Sequence, residues 1–542
     1  MQVLMVVDLK AFVNGRIYVS FKPLKVADAI LVDSGRVIYA GSSEKARKLA
    51  EELNGEVIDL RGKVILPGFI DSHLHLEELG MYLETLDLRA VRSIAKLKKK
   101  LGSYAKKAKT TWILGHGWDQ ELFEEKRWPT RWDLDEVVED RPVMLSRVCL
   151  HAAVLNTKAM EMAGLLDAEL PGVVRDGDGE VTGVVKEEAF ELAREKFKET
   201  LTLQDYEHFV KVAADYIASL GITAVGTVSV EEKTLKALSN LEERGELKIR
   251  VFAYLDPGKR EVKEGSMFGN LDVLEALRKL GIRRGFGRGK LRINGVKVLA
   301  DGSLGARTAW LSEPYSDAET EGYPNISKGL LEKIVREAHE AGLQMAVHGI
   351  GDATIDMILD VYSSLNGSER MRHRIEHASI LRPDQIERMA ELGIVAAVQP
   401  HFVITDWWVM KRVGEKRAHW IYPFRSILKA GVVLGFGTDS PIEPANPWET
   451  VYAAVTRGKY EGVDAYEYTK DECLTIEEAL HAYTYGSAYT LHAENELGTL
   501  EEGKLADFII VSDDPFEVNE KRLGEIRVLE TYVSGERVFK AG

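Results

Sequence analysis

Short apolar runs, each followed by a turn and then by an amphipathic stretch with apolar positions three and four apart, recur through the middle of this 542-residue chain. The runs are Leu66–Leu74, Ile222–Val228, Ile249–Tyr254, Ile293–Val298, Gln344–His348, His373–His377, Val395–Gln399 and Val432–Asp439. Continuous rather than alternating apolar runs are the pattern of strands buried on both faces, as in a parallel sheet covered by helices. Eight such units predict an α/β fold, a (β/α)8 TIM barrel, whose active site forms at the C-terminal ends of the strands. A doubly wound open sheet is the alternative, but no Gly-x-Gly-x-x-Gly follows any of the runs.

The two ends of the chain have another texture. Residues 1–65 alternate Val- and Ile-rich runs with turns, around one helical stretch near Glu44–Leu53, and residues 497–542 read the same way. Neither end has enough strands for a two-sheet core alone, so the two are expected to combine into one small β-sandwich. The barrel then takes 66–80 and 221–496. Between its first two strands lie roughly 145 residues, far beyond an ordinary crossover, and 81–220 is predicted to be an inserted α/β subdomain. It carries Trp112, Trp118, Trp128 and Trp132 of the nine tryptophans, and polar stretches around His116, Asp119 and His151. Leaving from the catalytic face, it is expected to contribute to the substrate pocket or a lid. The tryptophans serve equally well as its own core. His116 and Asp119, beside glycines in a predicted loop, are candidate substrate-binding residues.

Composition narrows the class. With 45% hydrophobic and 29% charged residues the chain is globular, and no apolar run is long enough to cross a bilayer. The N-terminus shows no basic region followed by a cleavage site, so a cytoplasmic protein is expected. A formal charge of −15 disfavours nucleic acid, whose phosphates need a positive surface. The two cysteines, Cys149 and Cys473, form no disulfide framework or thiolate cluster. Any metal site must therefore use nitrogen and oxygen. A small-molecule substrate is expected, and a homodimer is the base-rate assembly.

Polar residues at the predicted strand ends carry the chemistry. His73 and His75 close the first run, and the strand period of two puts both imidazoles on one face, an arrangement suited to a divalent metal. Lys297 lies on the fourth strand, His348 on the fifth, His377 on the sixth and Asp439 at the end of the eighth. Each has a plain structural explanation: a hydrogen-bonded core histidine, a Lys297–Asp301 pair, a helix cap at Asp439. Their joint occurrence at strand ends is poorly explained that way. Gln399-Pro400-His401 ends the seventh strand, which makes His401 a candidate for substrate binding. Arg307, with Trp407 and Trp408, also follows a strand end, and substrate binding and a structural ion pair are equally open to it. Glu376 is expected to face away from its neighbour His377 and to support it only through another residue.

Pro67-Gly68-Phe69-Ile70-Asp71-Ser72-His73-Leu74-His75, Lys297, His348, His377, Gly437-Thr438-Asp439-Ser440-Pro441 and the closing Leu497–Phe508 together resemble the amidohydrolase superfamily over essentially the whole chain. Asp301–Ala309, Arg374-Ile375-Glu376-His377 and the Trp118-Asp119 stretch are similar to its branch containing N-substituted formamide deformylase. The resemblance implies a metal-dependent hydrolase attacking an amide-type C–N bond (N-acyl, N-formyl or cyclic amide), with hydroxide generated at the metal and Asp439 as proton shuttle. It implies that His73, His75 and Asp439 hold one divalent ion and His348 and His377 a second, bridged by Lys297 as an N6-carboxylate. With Lys297 unmodified, a single metal on His73, His75, His348 and Asp439 is implied instead, as in a mononuclear deaminase. Zinc suits these ligands best, with iron or manganese also acceptable. An inactive regulatory or binding protein on the same barrel is the competing class. It would show first as a missing ligand, and none is missing.

Overall fold

The computed structural model describes residues 9–147, 152–257 and 272–542, and the chain divides into two compact units, one of 1–76 with 214–542 and one of 77–213. In the first unit eight parallel strands follow in chain order: Phe69–Leu74, Ile222–Val230, Arg250–Leu255, Leu291–Leu299, Gln344–Gly349, Arg374–His377, Val395–Val398 and Leu434–Phe436. Each pairs with its sequence neighbour, and the short Phe286–Arg288 adds an antiparallel hairpin to the fourth. The eighth strand meets the first beyond its end, where the Asp439 amide donates to His73 O (2.7 Å) and the His75 amide to Ser440 O (2.9 Å). This is the expected TIM barrel. Ile70, Ala224, Phe252, Tyr254 and Ala346 fill its interior against Ala488 and Leu491 of the last helical segment.

The close approach of the eighth strand to the first depends on Gly437. A Cβ there would lie 2.7 Å from the His73 nitrogen, closer than real contacts come. Two further sheets use both chain ends. One has the order Arg36–Gly41, Ala29–Asp33, Lys10–Val13, Glu56–Asp59. The other has Glu536–Lys540, Val528–Val533, Phe508–Val511, Val64–Pro67, Arg16–Phe21, Leu24–Ala27. Phe12, Ile30, Val37, Ile65, Phe508 and Tyr532 form their shared core, with Phe508 stacked on Tyr532 at 4.5 Å.

The 77–213 unit, expected as 81–220, has a six-stranded mixed sheet, order Val173–Arg175, Val181–Lys186, Ala152–Leu155, Val143–Arg147, Ile113–Trp118, Leu86–Asp87. Its tryptophans divide: Trp112 and Trp118 are buried in its two apolar clusters, whereas Trp132 is exposed. No helix among the described residues is long and apolar enough to cross a membrane.

Candidate functional site

His73 is wholly buried in the first barrel strand, and His75 stands one residue beyond that strand's end. Both Nε2 atoms face one oxygen of Asp439, His73 at 3.2 Å and His75 at 3.3 Å from Oδ1. Asp439 reaches back because its backbone is left-handed, φ +56°, a conformation costly for a non-glycine residue and concentrated at functional sites. Beneath it the buried Asp71 carboxylate accepts from Thr438 Oγ1 (2.7 Å) and the His73 amide (3.1 Å), which ties the first strand to the eighth. Burial pushes the Asp71 carboxyl up to about 7, the Thr438 and His73 bonds opposing.

Three of the candidate histidines are each anchored through one ring nitrogen. His73 Nδ1 makes a short contact with Glu376, whose carboxylate is gripped by Arg374 through Nε and Nη2, both at 2.7 Å. His377 Nδ1 meets Gln399 Oε1 at 2.7 Å, and the amide of Gln399 is oriented by its donation to Ala397 O. His348 Nε2 meets the Gly302 carbonyl at 3.0 Å, with Asp301 Oδ1 at 3.3 Å. An acceptor on one nitrogen of a neutral imidazole fixes the proton there and leaves the other nitrogen as a lone pair. The unprotonated atoms are then Nε2 of His73, Nε2 of His377 and Nδ1 of His348. His377 sits between the other two, with ring centroids 4.9 Å from His73 and 4.4 Å from His348. Burial, with His348 beside it, pushes the His377 imidazole well below its ordinary pKa, so it stays neutral.

Lys297 is 2% exposed, and among the described residues its amine makes no hydrogen bond or ion pair. Burial lowers its pKa, while the negative charges of Glu376 and Asp439 raise it. The Lys297–Asp301 pair open from sequence does not form. The Asp301 carboxylate is taken by the amides of Trp310, Ile350 and Gly351 and by Thr354 Oγ1, all within 3.1 Å.

This donor set fits a divalent cation. His73 Nε2 is buried without a hydrogen-bond partner, and a bare lone pair facing a carboxylate oxygen is repulsive unless a positive charge lies between them. His73, His75 and Asp439 offer ligand atoms all within 4.8 Å of one another. His348 falls outside that trio, beside His377.

The weaker candidates part company. His116 is in the strand Ile113–Trp118 and not in the expected loop, since pairing with strands on both sides overrides the flanking glycines. It stacks on Tyr82 at 5.0 Å, and burial lowers its pKa. Asp119 caps the turn Gln120–Leu122 and pairs with Arg147 Nη2 at 2.9 Å. Arg307 makes a two-pronged pair with Asp317 (3.0 and 2.9 Å), the structural side of its two readings. His401, which follows the seventh strand, contacts Glu443 through Nδ1, and Thr405 Oγ1 donates to the same carboxylate at 2.8 Å. Trp407 is exposed beside Lys411. Cys149 and His151 lie outside the described residues.

Sequence reasoning missed Glu376, Arg374 and Gln399 as anchors. Glu376 is expected to face away from His377, yet both side chains reach the His73 ring, Glu376 at Nδ1 and His377 with centroids 4.9 Å apart, because the left-handed backbone of His377, φ +70°, breaks the alternation. The available signal was Arg-x-Glu, two charges on one face of a strand otherwise apolar.

The family model described as "Amidohydrolase family" matches residues 56–539. The chain is 31% identical to "Putative amidohydrolase YtcJ" of Bacillus subtilis (strain 168), over 97% of this chain and 98% of that one. It is 28% identical to N-substituted formamide deformylase of Arthrobacter pascens over 94% of each. The crystal structure of an uncharacterized metal-dependent hydrolase from Pyrococcus horikoshii OT3 superposes with TM-score 0.82 at 45% identity, covering 95% of this chain and 99% of that one.

Proposed function

The chain belongs to the amidohydrolase family of metal-dependent hydrolases, and from that premise we propose that it cleaves an amide-type C–N bond, N-acyl, N-formyl or cyclic, in a small molecule. The observation carrying this reading is the convergence of the His73 and His75 Nε2 atoms on Asp439 Oδ1 with no hydrogen bond at His73 Nε2. His73, His75 and Asp439 would hold one divalent ion and His348 and His377 a second, with Lys297 between them; nitrogen and carboxylate ligands favour zinc. A bound ion of this kind supplies Lewis acidity toward a carbonyl and lowers the pKa of water toward neutrality.

The chain's own residues do the rest. Buried, and without a hydrogen bond or ion pair among the described residues, the Lys297 amine is suited to the neutral form, which adds to carbon dioxide: an N–C bond forms, a proton leaves, and an anionic oxygen ligand results. Asp439 takes a proton from the attacking water and delivers it to the leaving amine. The anchors on His73, His348 and His377 keep three lone pairs aimed without a reorganisation cost during turnover. The likeness to N-substituted formamide deformylase puts N-formyl amines first among substrates.

The test is metal content per chain on protein purified without chelators, followed by a panel of N-formyl, N-acyl and cyclic amides. Bound zinc near one or two per chain and turnover of one class are expected. Absence of tightly bound transition metal, with no stabilisation by added zinc, would overturn the reading.

A further inference from the structure

Glu376 stands beside a candidate ligand in sequence and yet serves another one across the barrel. Its carboxylate meets His73 Nδ1, the ring nitrogen remote from Asp439, so it is not placed to ligate anything that His73 and Asp439 share. Arg374, two residues earlier on the same strand face, holds both Glu376 oxygens, and its Nη2 also donates to the carbonyl of Ser72 at 2.8 Å. The guanidinium lies over the Tyr254 ring, 4.5 Å from its centroid, and the Tyr254 hydroxyl donates to Gln344 Oε1 and accepts from Asn294 Nδ2. His73, Arg374 and Glu376 are all 0% exposed. The sixth strand thus grips both the backbone next to His73 and the imidazole itself. Among the three anchored histidines only His73 has a carboxylate as its sole anchor; His377 has a side-chain amide, and His348 has a backbone carbonyl nearest.

We propose that Glu376 and Arg374 are positioning residues for the metal at His73: Glu376 accepts the Nδ1 proton and fixes the ring with Nε2 toward Asp439, and Arg374 holds Glu376 in register. The inference rests on the reading of His73 as a metal ligand. An imidazole hydrogen-bonded to a carboxylate is also the more basic ligand, so the Glu376 contact strengthens His73 toward a cation.

A purely structural strut would move stability and leave metal affinity alone, so affinity is the readout. Glu376→Gln by itself strands Arg374 as a lone buried charge, which is strongly destabilising. The Arg374→Gln/Glu376→Gln double variant removes both charges and keeps polar side chains of similar reach. Zinc affinity is measured by chelator competition on protein checked for folding by circular dichroism. The double variant should bind zinc about 10- to 100-fold more weakly than wild type and regain turnover at saturating zinc. A folded double variant with wild-type affinity overturns the inference and leaves the hydrolase reading standing, whereas wild-type protein that binds no zinc ends both. In metal-free wild type the Nδ1 proton should resonate far downfield of the amides. Its absence there overturns the inference whether or not the variant folds.

Discussion

Buried histidines occupy both ends of the barrel strands, and the two groups differ in how their ring nitrogens are used. At the C-terminal ends His73, His348 and His377 each hand one nitrogen to a protein acceptor and keep the other bare. At the N-terminal end of the sixth strand the chain of bonds is closed. The Met345 amide donates to His373 Nδ1, His373 Nε2 donates to His339 Nδ1, and His339 Nε2 donates to the Asn366 carbonyl, all within 3.1 Å. No lone pair is left over there, because each nitrogen is either a donor or an acceptor already in use. Burial alone does not separate the groups, since His73 and His373 are both 0% exposed. What marks a metal-ready histidine is an anchored ring with one unspent nitrogen.

The largest effects should fall on activity at one end and on stability at the other. Asp439→Asn keeps the side chain's shape but removes the base, and turnover on the best substrate should drop by about 10^2- to 10^4-fold with the fold intact by circular dichroism. Wild-type turnover in that variant would remove Asp439 from proton transfer. His373→Ala should do the reverse. Leaving the Met345 amide and His339 Nδ1 unsatisfied beside a new cavity costs on the order of 3 kcal/mol, read as a lower melting temperature, while metal per chain stays at the wild-type level. Loss of metal in His373→Ala would erase the distinction between the two ends.

A smaller effect follows from titration at the N-terminal end. Burial, with the charges of His339, His492 and Arg284, pushes His373 down to about 3, and burial with Arg284 brings His492 to about 3 as well. The unfolded chain takes up a proton at each near pH 6.5, the ordinary histidine value, whereas the native chain does not until near pH 3. Unfolded protein therefore binds more protons across that window. Stability falls as pH is lowered through it, by about 1.4 kcal/mol per pH unit for a histidine such as His373. Denaturant titrations of metal-free protein between pH 7 and 4 should show this slope, and His373→Ala should flatten it. An unchanged slope in that variant would mean that His373 is not kept neutral by the fold.

Much of this was legible in the sequence, and the rest was hidden for physical reasons. The eight strands were readable because strands covered on both faces must be apolar throughout, and the candidate ligands because they interrupt that apolarity at strand ends. Glu376 could not be paired with His73 in advance. They are 303 residues apart, and the contact exists only through the way the first and sixth strands are placed by barrel closure. His377 complicated the local reading further, since its φ of +70° breaks the strand's alternation where it matters. His116 was misread because Gly115 and Gly117 argue for a loop, whereas neighbouring strands on both sides hold the segment extended.

The same bookkeeping of spent and unspent groups reaches the arginines, where the smallest effect is expected. Arg307 follows a strand end, as a substrate-binding cation would, but its Nε and Nη2 are both given to Asp317, which Arg412 also contacts. It is a spent group in the sense that His373 is one. Because the pair is open to solvent, its attraction is screened and side-chain entropy offsets much of it. Arg307→Ala should therefore leave the melting temperature, KM and kcat close to wild type. A rise in KM at unchanged kcat would instead show uniform binding lost from substrate. The Arg307–Asp317 pair would then be a closed form that opens when substrate arrives, and a group spent in the free protein could no longer be counted as spent in the complex.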